Sequence, residues 1–287
     1  LVSPEGNVFI SFGVNHPYPH LVKAPYNKDY WIKEFDITEP DSYEAYLPAF
    51  RDKVEKDMKL LGMNTLGKHC EYPFYDDSFM PYIEQCRFVN NCHYMTIPKE
   101  NFHNVFSEDF EAHCDQIVNE KILPKKDDPY MLAISFSDCP FFTNLDSAPR
   151  INNIYGAARK GNPMWAVVLR NLGEAAAGKQ AYTETMKEIY QNDFSEFNKV
   201  YKTHFNSFDE LLVATDWREA EDNQNQKEVE DNLQFLYKIV DKSYEVQIKS
   251  IRKVDTNHMI FGDKLNGNSN TPDEIIKIAD KHMDIIY

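Results

Sequence analysis

The run Tyr130-Met-Leu-Ala-Ile-Ser-Phe136 constrains this chain more than any other segment. It is almost wholly apolar and too short for a buried helix, so it reads as a strand. A strand with no polar alternation is buried on both faces. That is the pattern of a parallel sheet covered by helices on each side. The run passes directly into Ser137-Asp138-Cys139-Pro140, a polar turn.

The other segments fit this frame. Val8-Phe-Ile-Ser-Phe-Gly-Val-Asn15, Met63-Asn-Thr-Leu66 and His93-Tyr-Met-Thr-Ile97 are predicted as the three preceding strands. Between the first two, Tyr46, Leu47, Phe50, Val54, Met58 and Leu61 recur at helical spacing, and Gly62 ends that helix. A helix over 106–122 follows the third strand, with Ser107 as its N-cap. Residues 227–254 form a long amphipathic helix through Leu233, Leu236, Ile239, Val240, Val246 and Ile251. The fifth strand is predicted at His258-Met-Ile-Phe-Gly262. Thr271-Pro-Asp-Glu274 opens a helix, and Met283–Tyr287 is a sixth strand. Residues 141–225 break the rhythm, with helices near 164–190 and 194–213, and are read as a helical insertion after strand four.

Alternating strands and helices define an α/β chain. Two arrangements fit: an open doubly wound sheet, or six strands of a (β/α)8 barrel. No G-x-G-x-x-G follows the first strand, which weighs against a dinucleotide fold. An apolar last strand would be an unprotected edge. The expectation is therefore one partial TIM-type barrel domain over 1–287, truncated after the sixth strand.

Charge narrows the partners. The formal net charge is −15, the opposite of what phosphate or an anionic membrane surface requires. No apolar run reaches membrane-spanning length, and no signal peptide opens the chain. A secreted or periplasmic protein whose leader lies outside this chain is compatible with that opening, and the compartment stays open. The five cysteines form no C-x-x-C pair, so most are expected as free thiols. The 14% aromatic content suits core packing and sugar stacking alike.

In parallel α/β folds, chemistry sits at the C-terminal tips of strands. Those tips supply Asn15 and His16, Lys68 and His69, Asp138 and Cys139, Asp263 and Lys264, and Tyr287. The expectation is one polar mouth with acid–base capacity. Each residue also has a plainer reading. Asn15 and His16 precede Pro17 and can shape a turn. Lys68 and His69 can be a solvated loop. Asp138 can cap an Asx-turn, and Cys139 can be a small buried filler. Trp165 is either a sugar platform or core of the insertion. A metal site from His16, His69 and Asp138 lacks any H-x-H or H-E-x-x-H spacing, so neither metal nor cofactor is expected.

Together these segments resemble the β-agarases of glycoside hydrolase family 50. The resemblance runs through Pro4–Asn15, Leu60–Gly67, Asn104–Phe110, Asp128–Asp138, Asp255–Asp263 and Asp284–Tyr287. It implies a (β/α)8 barrel and retaining hydrolysis by two glutamates, an acid/base at strand four and a nucleophile at strand seven. Here the family's Asp-Asn-Glu triplet is Asp138-Cys139-Pro140, as in a related subgroup, so the usual acid is absent. Strand seven is expected beyond Tyr287. Asp138 then takes over as acid with a raised pKa, or a carboxylate of the 141–225 segment reaches in, or sugar is bound without cleavage. The functional expectation is a glycoside hydrolase acting on an agarose-like poly- or oligosaccharide. The alternative is a catalytically silent carbohydrate-binding barrel. Oligomeric state is not readable.

Overall fold

A computed structural model of the chain describes residues 1, 6–70, 74, 78–92, 97–142, 164–265 and 271–286. The five strands among them are β1 (Gly13–Val14), β2 (Thr65–Leu66), β3 (Tyr82–Gln85), β4 (Met131–Asp138) and β5 (Met259–Lys264). They form one sheet in the order β1-β2-β3-β4-β5, and the pairs β1–β2 and β2–β3 are parallel. The chain divides into two compact units, with the division falling inside β4.

The first unit comprises Leu1–Gln85 and Asp127–Ile134. Among the described residues its helices include α1 (Lys28–Glu34) and α2 (Leu47–Leu60). Helix α2 begins one residue before Pro48, where a missing N–H costs nothing, and buries Phe50 and Met58. Gly62, at φ 69°, turns the chain out of it into β2.

One expectation is corrected here. The first strand does not run over Val8–Asn15. Val8, Ile10 and Phe12 are exposed, and only Gly13–Val14 pairs with β2. A Cβ on Gly13 would stand 1.7 Å from the Thr65 carbonyl oxygen, so this close pairing needs a glycine. The sheet's third strand among the described residues is Tyr82–Gln85; of the expected His93–Ile97 segment, His93 to Thr96 lie outside the described residues. Tyr82 and Glu84 face inward and the Tyr82 hydroxyl donates to Asp128. Inward-facing Tyr and Glu give this strand none of the continuous apolar character of β4.

The second unit comprises Cys86–Lys126 and Ser135–Tyr287. It holds α3 (Glu108–Lys121), α4 (Trp165–Arg170), α5 (Ala177–Ile189), α6 (Phe194–Tyr201), α7 (Phe208–Val213), α8 (Gln226–Arg252) and α9 (Asp273–His282). Ser107 caps α3, its hydroxyl accepting from the Phe110 N–H. Helix α8 is the organiser and packs against α3, α4, α5, α6 and α9. Its buried stripe includes Phe235, Leu236, Ile239, Val240 and Tyr244.

The two long helices expected within 141–225 are four. The segment near Asn171–Gly173 separates α4 from α5. Lys202, at φ 54°, ends α6 before Ser207 caps α7. Residues 143–163 lie outside the described residues. The sixth strand is not formed among the described residues either, although the N–H groups of Asp284 and Ile285 both donate to the Ile260 carbonyl of β5.

The interior of this helical layer is ionic. Arg170 is fully buried and donates to Glu228, Asn232 and the carbonyls of Arg218 and Ala220. Arg218 also pairs with Glu228, and the buried Lys179 donates to the carbonyls of Arg170 and Ala214. These bonds fasten the 214–220 loop to α4, α5 and α8.

Candidate functional site

The strand tips carry an unusual backbone. His16, His69 and Cys139 follow β1, β2 and β4, and all three have positive φ, at 59°, 59° and 53°. Non-glycine residues adopt this conformation rarely, and such strain collects at functional sites.

In the first unit, the His16 and His69 rings stack with centroids 4.5 Å apart. The His16 N–H donates to the Lys68 carbonyl at 3.2 Å, extending the β1–β2 ladder past its formal end. The Asn15 amide lies over Gly67, where an added Cβ would meet Asn15 Oδ1 at 1.9 Å. Asn15, His16, Lys68 and His69 are thus brought together. Lys68 itself is only 4% exposed.

In the second unit, Asp138 and Lys264 stand at the ends of β4 and β5. Lys264 Nζ lies 3.1 Å from Asp138 Oδ1, and the Cys139 N–H donates to the Lys264 carbonyl. The Asp138 side chain keeps some solvent contact and the Lys264 side chain is 42% exposed.

The Cys139 thiol donates to Asp138 Oδ1 at 3.2 Å. Burial first, then the Asp138 charge, pushes its pKa up to about 12. A buried thiol that donates to a carboxylate is poorly placed to reach the thiolate form that a nucleophile needs. All five cysteines are buried, and none is joined in a disulfide.

Asp263 points back into the fold. Its Oδ1 accepts from the Ser137 N–H at 2.8 Å, and its Oδ2 from the Tyr244 hydroxyl at 2.9 Å. Trp165 is 2% exposed, with its indole N–H donating to the His103 carbonyl at 2.8 Å and its ring edge against Phe102. Nothing in this setting offers a ring face to a sugar. Tyr287 lies outside the described residues.

A larger cavity of about 480 Å³ lies elsewhere in the second unit, with Phe102, His103, Asp109, Leu172, Asp216 and Glu219 in its walls. None of Asp138, Cys139, Asp263 or Lys264 lines it. Asp216 and Glu219 are two of its carboxylates. His103 is held neutral there, its pKa lowered to about 4 by burial and by the neighbouring His113. Among the described residues, no group of three His, Cys, Asp or Glu side chains could hold a metal ion. No helix among them is long and apolar enough to cross a membrane.

No family model and no curated protein matches the chain. Solved structures do. An exo-β-agarase superposes with a TM-score of 0.65 at 17% identity, covering 90% of this chain and 33% of its own. PfGH50B gives 0.63 at 20% identity, over 89% and 35%. The agarase AgWH50C gives 0.60 at 18% identity, over 90% and 35%. The chain therefore shares the fold of these carbohydrate-active proteins across about a third of their length.

Proposed function

We propose that this chain is part of a (β/α)8 barrel of glycoside-hydrolase type that acts on an agarose-like galactan, with Asp138 as a charged sugar contact. One observation carries the reading: the part-exposed Asp138–Lys264 pair at the tips of adjacent strands, beside the left-handed Cys139. A carboxylate accepts and an ammonium donates, so together they can hold neighbouring sugar hydroxyls. The agarase fold of the neighbours supports the same substrate class. The stacked His16 and His69 rings are proposed as a sugar contact of the first unit taken by itself. The 141–225 segment is proposed as an insertion into the barrel. Trp165 is left out, because its ring is buried.

A second reading has its own support. Lys264 already pairs with Asp138, and Cys139-Pro140 stands where the resembled family carries its acid glutamate. Both favour binding without cleavage.

The test is incubation of the full protein with agaro-oligosaccharides, scoring new reducing ends and retardation in agarose gels, repeated with Asp138→Asn. Cleavage that is lost in the variant supports hydrolysis. Retardation without new reducing ends supports the silent binder. Neither effect in the unaltered protein overturns both readings.

A further inference from the structure

Behind the tips of β4 and β5 is a second, small cavity of about 10 Å³, with Asn91, Ser137, Ser243, Tyr244, Gln247 and Asp263 as its polar walls. That is close to the space one water molecule needs, roughly 10–15 Å³, in a wall rich in hydrogen-bonding groups.

Asn91 is 1% exposed. Its Nδ2 donates to the Phe141 carbonyl at 3.2 Å, while the Phe141 N–H donates back to the Asn91 carbonyl at 2.7 Å. This exchange fixes the amide's orientation, because a flipped amide would set Oδ1 against the Phe141 carbonyl. Oδ1 is left buried with no protein donor. A buried acceptor without a donor is unfavourable, and internal water commonly supplies one. Across the same cavity, Ser243 Oγ accepts from Gln247 Nε2 at 2.6 Å and still has its own proton to give.

The other wall is Asp263. Ser137 N–H ties it to β4 and Tyr244 O–H ties it to α8. Tyr244 is 1% exposed and too deeply buried to meet a sugar. The next residue, Lys264, is the one that pairs with Asp138. We propose that Asp263 is a positioning residue and not a sugar contact. With Tyr244 and one water molecule bound at Asn91 Oδ1, it forms the backing that holds the Asp138–Lys264 pair in place. The inference rests on the reading of Asp138 as a sugar contact.

The experiment combines a high-resolution crystal structure of the chain with agaro-oligosaccharide titrations of Tyr244→Phe and Asp263→Asn. The expected structure has a water within hydrogen-bond distance of Asn91 Oδ1. Tyr244→Phe keeps its ring and its fold, read by an unchanged circular dichroism spectrum, yet its sugar affinity falls about tenfold. Asp263→Asn still accepts from Ser137 N–H and stays within roughly threefold of the unaltered protein. No density at Asn91 Oδ1, unchanged affinity in Tyr244→Phe, or a larger loss in Asp263→Asn overturns the proposal. If the unaltered protein binds no sugar, the functional reading fails separately. The crystal structure of Tyr244→Phe then decides: a separated Asp138–Lys264 pair supports the positioning role, and an intact pair overturns it.

Discussion

Two sets of charges in the second unit differ in how much water reaches them. Arg170 and Glu228 are completely buried, and every direction around Arg170 is taken by a carboxylate, an amide or a backbone carbonyl. Asp138 and Lys264 form one contact at the same kind of distance, but Lys264 keeps 42% of its side chain in solvent. A buried pair enclosed in this way fixes one arrangement of helices and has nothing left for a ligand. A part-exposed pair contributes little to folding and can exchange water for sugar hydroxyls.

Breaking the buried set should have the largest effect. Arg170→Met leaves Glu228, Asn232 and two carbonyls without their shared donor, and removing one partner of a buried pair typically costs about 3–5 kcal/mol. Urea unfolding would show this as a lower midpoint, and a midpoint close to the original would erase the contrast. At the strand tips the balance reverses. Asp138→Asn keeps the side chain's shape and should lower the urea midpoint less than Arg170→Met does, while affinity for agaro-oligosaccharide falls about tenfold or more. Calorimetric titration beside a melting curve separates the two quantities.

Two smaller effects sharpen the contrast through pH. Burial, and secondarily the Arg170 charge, lowers the Lys179 pKa from 10.5 to about 8. Between those values the unfolded chain binds more protons than the folded one, so stability should rise with pH across that window. Lys179→Met should lack this rise when the two unfolding curves are subtracted. His103 is lowered from 6.5 to about 4, first by burial and then by His113. Its contribution is complete above pH 6.5 and is lost as pH falls toward 4. His103→Gln should flatten that acid limb, read by thermal melts across the same range.

Legibility in the sequence followed local chemistry. Strand β4 was readable because its run from Met131 to Phe136 is almost wholly apolar, and β5 and α8 because their periodicities are clean. The Ser107 cap was readable because one hydroxyl satisfies one N–H. Strand β3 was not, because its inward residues Tyr82 and Glu84 find their place through distant partners such as Asp128. The same holds for Arg170, Lys179 and Glu228, which look like a solvated surface until their partners, far away in sequence, surround them. At the candidate site, Asp138 and Lys264 were legible as strand-tip residues. Their pairing was not, because it joins residues far apart in sequence. Asp263 and Trp165 show the converse. Residue type suggested ligand contacts, yet Asp263 accepts from Tyr244 and Ser137, and the Trp165 ring packs in the interior.

The most direct test is a crystal of the full protein soaked with an agaro-oligosaccharide. The account predicts a sugar hydroxyl within hydrogen-bond distance of the Asp138 carboxylate, with Lys264 on the same ring or its neighbour. Sugar seated only in the larger cavity beside His103 and Glu219, or an unchanged Asp138–Lys264 pair with no sugar near it, would contradict it.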